Sequence, residues 1–158
     1  MKPYEKLQCH WIGSEEGIRS TSTSEQAVDG LERKYGVRLP DEFRAYLIHS
    51  RVRPANELDQ QGITWWPLDC IENVADEYPH PIRDATIARD SATYLFFADY
   101  LIWCWAWAIA CGDDENRGRV VVITGINDRF VADSFAEFVD RYIDDSSKSA
   151  RCRLLSRV

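Results

Sequence analysis

Residues that carry chemistry are few and scattered in this sequence. There are three histidines, His10, His49 and His80, and five cysteines, Cys9, Cys70, Cys104, Cys111 and Cys152, with no C-x-x-C pair among them. The histidines form no ligand motif with the cysteines, which argues against zinc; only Cys9 beside His10 offers half of a site assembled in space. Glycine-rich phosphate loops are absent, G-x-S-x-G is absent, and no carboxylate, histidine and nucleophile fall together at a strand-to-helix turn. No catalytic residue, cofactor or metal is therefore expected. An odd number of cysteines cannot all pair within the chain, and the opening MKPYEKLQCHWIG has no apolar h-region or cleavage site, so a reducing, cytoplasmic setting is expected.

Basic side chains are also in deficit. Against 26 acidic residues the 158-residue chain has 19 Lys and Arg, for a formal charge of −7. Nucleic acid is a poor partner for such a surface, because phosphate binding is driven by Lys and Arg displacing counterions. The deficit is uneven. Residues 1–147 hold every acid and 15 of the bases, a net of −11, whereas residues 148–158 carry Lys148, Arg151, Arg153 and Arg157 with no acid. The first stretch reads as one domain. The last reads either as a solvated basic tail or as a final strand or arm on the acidic body.

What the sequence does have is apolar and aromatic. Tyr94 to Cys111 reads YLFFADYLIWCWAWAIAC, with Asp99 its only charge. This is near the length of a membrane-spanning helix. The period argues against a span: Leu101, Trp103, Trp105, Trp107 and Ile109 alternate with Ile102, Cys104, Ala106, Ala108 and Ala110, which is the spacing of a strand. Asp99 would be costly in lipid, and no basic cluster marks a cytoplasmic flank. The segment is expected to form a hairpin or two consecutive strands, with an indole-rich face filling one layer and an Ala-rich face admitting a closely packed helix. The neighbours Trp65 and Trp66 should point to opposite faces of a strand, so that one can reach solvent.

Helices are expected on either side. Ser22-Thr23-Ser24-Glu25 reads as a capping box, Val28, Leu31 and Tyr35 follow at helical spacing, and Gly36 ends the run. Pro40 suits the first position of a second helix, with Phe43, Tyr46 and Leu47 as its buried stripe. After a polar loop at 51–62, Ile63 to Leu68 reads as a strand limited by Pro67, and a short helix spans Cys70 to Glu77. Arg119 to Thr124 and Arg129 to Ala132 read as strands joined by a turn at Gly125 to Asp128. Ser134 and Glu137 have capping-box spacing before Phe135, Phe138, Val139, Tyr142 and Ile143 on one helical face. Helices at the ends with hairpin-connected strands between predict a single α+β domain: a largely antiparallel twisted sheet, an N-terminal helix pair and a C-terminal helix packed on it.

Acidic side chains supply the remaining candidates. Asp113, Asp114 and Glu115 fall in the glycine-bounded turn 112–118. Asp99 sits among apolar residues, either as a buried acid with a tuned proton affinity or at a turn between two strands.

Three segments together resemble a known family. Leu31 to Leu47, LERKYGVRLPDEFRAYL, is similar to the helix, G-x-x-L-P step and second helix of the SMI1/KNR4 family of the SUKH superfamily. Trp66-Pro67-Leu68 with Ile71 resembles its strand leading into a short helix. Val131 to Val139, VADSFAEFV, resembles its closing strand and Ser-Phe entry to the last helix. The resemblance covers about residues 24–145. It implies a non-enzymatic protein: bacterial members are mostly immunity proteins that bind a cognate toxin, and fungal relatives act as regulators or scaffolds in cell-wall synthesis. The expected partner is then a toxin protein, with a basic nuclease domain as one candidate, met by Trp65, Trp66, Asp99, Asp113, Asp114 and Glu115, with no nucleic acid or membrane partner. Whether the chain is a monomer or a homodimer is left open. The alternative is a regulatory or scaffold module recognising a cellular protein or small ligand through a groove bordered by Trp103, Trp105 or Trp107.

Overall fold

The computed structural model describes residues 1–15, 17–20, 23–55 and 58–147. The basic segment 148–158 lies outside them. The chain opens with α1 (Pro3–Gly13) and a short strand β1 (Gly17–Arg19), followed by α2 (Glu25–Tyr35), α3 (Asp41–His49) and β2 (Val52–Pro54). Next come β3 (Ile63–Trp65), a single 3-10 turn at Leu68–Cys70, and the short helices α4 (Val74–Glu77) and α5 (Ala85–Asp90). The strands β4 (Tyr94–Tyr100), β5 (Trp105–Ala110), β6 (Val120–Ile123) and β7 (Arg129–Ala132) lead into α6 (Phe135–Ser147).

β3 to β7 form one antiparallel sheet in chain order, each strand paired with the next, while β1 and β2 make a separate two-stranded ribbon. The expected α+β architecture is thus present, with an additional helix and ribbon at the N-terminal end. α1 escapes the pattern because it buries little more than Leu7 and Trp11, one pair at i, i+4 spacing. β2 lies in the expected polar loop and β1 where no element is expected, because pairing with each other rather than alternation makes them strands. α5 is likewise unexpected; Asp84 starts it by accepting from the amides of Thr86 and Ile87.

The caps differ from expectation in register. Ser24 is the N-cap of α2, its hydroxyl accepting from Ala27 N–H at 3.1 Å, and Ser22 of the expected box is outside the described residues. Gly36 closes α2 at φ +63°, a conformation that favours glycine. Pro40 is the cap residue of α3 rather than its first helical position. At α6 the expected Ser134 and Glu137 pair is in place: the Ser134 hydroxyl accepts from Glu137 N–H, and the Glu137 carboxylate reaches back to Asp133 N–H.

The sheet has an apolar layer on each face. Trp107, Ile109, Leu95, Phe97, Val120 and Val122 share a core with α1, α2, α3 and α6 through Trp11, Val28, Phe43, Phe135 and Phe138. The opposite face, Ala106, Ala108, Ala110, Tyr94, Phe96, Val121 and Ile123, is covered by Val74 of α4 and Ile87 of α5. The alternation of β5 therefore works as expected, its alanines leaving room for two short helices. It does not extend back to Leu101. Residues 101–104 are a tight turn, and Trp103 leaves the indole face to pack against Phe96 and Tyr78 on the alanine face, with ring centroids 5.0 and 6.0 Å apart. The apolar run hides this turn, which contains none of the usual turn residues.

Asp59 ties the helical layer to the sheet. Its carboxylate is 7% exposed and accepts from the amides of Gln61 and Ile63, at 2.8 and 2.9 Å, through one oxygen. The other oxygen accepts from the Tyr142 hydroxyl of α6 at 2.6 Å and the Trp65 indole of β3 at 3.3 Å. Tyr142 in turn accepts from the Trp11 indole of α1 at 3.0 Å. Asp59→Ala is expected to cost about 3–5 kcal/mol in urea unfolding, because several buried donors lose an ionised acceptor together. Tyr142→Phe should cost about 2 kcal/mol, and equal losses in the two variants would show that the carboxylate is not the hub.

Candidate functional site

The sequence candidates fall into two places. Trp65, Trp66 and Asp99 lie together at the β3 edge of the sheet. β3 pairs with the end of β4, setting Thr64 opposite Asp99 and Trp65 opposite Ala98. The two indoles point to opposite faces, as their adjacency requires. Trp65 is buried beside Trp11, Tyr46 and Tyr142, whereas Trp66 is half-buried against Phe96 and Trp103.

Asp99 is buried and fully engaged in local structure. One of its oxygens accepts from the Trp66 indole at 2.6 Å, the other from Trp103 N–H at 3.0 Å. The acid is buried and sits where the strand turns, the second of its expected placements. It braces an unusual turn: Leu101, Ile102 and Trp103 have φ of +44°, +54° and +69°, three successive left-handed residues without a glycine. Each costs roughly 1–2 kcal/mol relative to a right-handed conformation. The turn holds because Asp99 caps it, Cys104 N–H donates to Tyr100 C=O at 2.8 Å, and Trp103 is packed between aromatic rings. The outcome is that Ile102 stands 82% exposed.

Two adjoining clefts of about 410 and 440 Å³ run along this edge. The first is floored by Trp11, Tyr46, Leu47 and Trp65; the second is walled by Thr64, Asp99 and Ile102. Arg53, Trp65 and Pro67 line both. Burial pushes the Tyr46 phenol well above its ordinary pKa, with Arg53 opposing, so it stays a neutral hydroxyl at the cleft floor. A groove does therefore exist, but Trp11, Trp65 and Trp66 line it. Trp107, expected at its border, is sealed against Phe138, and Trp105 stacks on Tyr100 at 4.2 Å.

Asp113, Asp114 and Glu115 form the second place. The loop between β5 and β6 is pinned by Arg117, whose guanidinium donates to the carbonyls of Cys111 at 3.2 Å, Leu39 at 2.9 Å and Arg38. Asp114 caps Asn116 N–H at 2.8 Å, and all three acids are exposed. Asp84 and Asp90 are close by. Burial pushes the Tyr94 phenol up to about 12, and Asp90, Asp114 and Asp84 add to the shift. This loop adjoins Thr93 at the start of β4, whereas β3 pairs with the end of β4. Roughly 17 Å of strand separates the two places, at about 3.4 Å per residue. They are two surfaces rather than one site.

Sequence reasoning missed Asp59, Arg53 and Arg117. Asp59 carried a signal: Asp-x-x-Gly ahead of an apolar strand is a turn in which the side chain bonds the following amides. Arg53 and Arg117 carried none, since their roles depend on which elements meet in space.

The antiparallel sheet is flanked by a helix pair and a closing helix, and its β3 edge is left open. Among the described residues no group of His, Cys, Asp or Glu is arranged to hold a metal, and no helix is long and apolar enough to cross a membrane. The SMI1 / KNR4 family (SUKH-1) model matches residues 22–141, and the chain belongs to that family. No curated protein matches it. The match begins after α1 and β1, so both lie outside the shared framework.

The strained turn makes its own prediction. Ile102→Gly should stabilise the protein by about 1 kcal/mol in urea unfolding, since glycine adopts φ +54° without the Cβ penalty. A loss of stability would show that the exposed side chain contributes packing that outweighs the strain.

Proposed function

We propose that this protein is a non-enzymatic immunity protein that binds and neutralises a cognate bacterial toxin domain, with a basic, nuclease-type domain as the best-fitting partner. The observation that carries the reading is the loop holding Asp113, Asp114 and Glu115. It is exposed, yet fixed to the α2–α3 step through Arg117, so its charges are presented without a further ordering cost on binding. It sits on a body of net −11, which steers a cationic partner and raises the association rate. Family membership supports the reading by analogy, because one fold hosts several functions.

Co-expression with the neighbouring toxin gene tests this directly. Cells making the toxin are expected to be viable only when this chain is made with it, and equal viability of toxin-producing cells with and without this chain overturns the reading. In binding assays with that toxin, replacing Asp113, Asp114 and Glu115 by Lys should slow association at least tenfold at low salt, with a smaller effect on dissociation. Affinity should also fall as ionic strength rises.

A second reading, a regulatory or scaffold module, is favoured by the aromatic cleft at Trp11, Trp65 and Trp66. It predicts affinity with little salt dependence and no change on charge reversal at 113–115.

A further inference from the structure

β2 and β3 are consecutive strands that face each other across the two clefts without pairing. Their directions can be read from the lining residues. Pro54 and Ala55 share one cleft with Thr64 and Ile102, and Ser50 and Val52 share the other with Leu68 and Asp69, so the strands run antiparallel. Their facing edges are not paired with each other.

The register of each ladder fixes which backbone groups face the gap. Ser20 N–H donates to Arg51 C=O at 2.9 Å, so along β2 Arg53 also turns toward β1, while Val52 and Pro54 turn away. Trp66 N–H donates to Phe97 C=O at 2.8 Å and Leu101 N–H to Gly62 C=O at 2.9 Å, so Thr64 turns toward β4, while Ile63 and Trp65 turn away. Ile63 is closed off by Asp59, which takes its amide at 2.9 Å and donates to its carbonyl at 2.9 Å. The amides of Val52 and Trp65 and the carbonyls of Val52, Pro54 and Trp65 face the gap with no partner among the described residues.

We propose that this gap binds an extended peptide segment of a protein partner, which enters as a strand between β2 and β3 and joins the two sheets. Unpaired groups on both walls are what strand addition uses for affinity, and side-chain contacts supply selectivity. The floor of Trp11, Tyr46, Leu47 and Trp65 takes an apolar side chain. Arg53 lines both clefts, is exposed, and forms no ion pair among the described residues, so the inserted segment carries a carboxylate opposite it. The buried Ser50 hydroxyl, without a partner among the described residues, lines the same floor. Ile102, forced outward by its left-handed turn, walls the other end; strain of this kind collects at sites of recognition. A single unpaired cation suits a peptide carboxylate and not the repeated phosphates of a nucleic acid. The inference rests on the strand edges and the cleft lining and holds whether or not the partner is a toxin.

The test uses random dodecapeptides displayed on phage, selected against the full chain, with the best binder resynthesised. That peptide is expected to slow amide exchange at Val52 and Trp65 at least tenfold on saturation. Its affinity should fall at least tenfold when its alternate backbone amides are N-methylated, and again in Arg53→Glu with an unchanged melting temperature. N-methylation leaves the protein untouched, so the test survives a variant that folds poorly. Failure to select a binder, protection elsewhere on the chain, or indifference to N-methylation overturns the proposal. So does concentration-dependent dimerisation of the free protein that Arg53→Glu abolishes, since the occupant would then be a second copy of this chain.

Discussion

One ionised carboxylate in the interior sets the relation between the helices and the sheet. Asp59 collects a hydroxyl from α6, an indole from β3 and two amides from its own loop, and Tyr142 extends the chain of bonds to α1. A buried charge is tolerable only when its lone pairs are filled, so each donor depends on the others being in place. The same carboxylate shortens the exposed edge of β3, because it closes Ile63. The interaction that organises the core therefore also defines how much strand edge remains open.

Two further aspartates repeat this device at smaller scale. Asp99 fastens the β4–β5 turn through Trp103 N–H and the Trp66 indole. Asp128 fastens the β6–β7 turn by accepting from the amides of Thr124 and Gly125, both at 2.8 Å, and it also takes Arg83 N–H at 3.3 Å. Acidic residues in this protein thus serve two ends. Those at 59, 99 and 128 are internal and shape backbone, whereas those at 113, 114 and 115 are external and shape the field.

Much of the framework was legible because it rests on local patterns. The helical stripe of Phe135, Phe138, Val139 and Tyr142, the Gly36 stop and the Trp and Ala alternation of β5 each follow from spacing alone. The left-handed turn at 101–103 was not legible, since Leu, Ile and Trp are poor turn residues and only the contacts of Asp99 and Trp103 hold them there. β1 and β2 were hidden for a similar reason, because neither three-residue strand carries alternation of its own. For the site, the opposite orientation of Trp65 and Trp66 could be read directly. Their neighbours in space, Tyr46 and Arg53, could not, because no sequence pattern joins α3 and β2 to the β3 edge.

Arg117 has a consequence for how this surface can change over evolution. It grips the acidic loop through main-chain carbonyls, and every residue type offers a carbonyl. Asp113 and Glu115 can therefore be exchanged for other side chains while the loop keeps its path, and Asp114 needs only a side chain that still caps Asn116. The surface can be rewritten in sequence at little cost to the fold beneath it, so related chains can diverge in surface charge while sharing one scaffold.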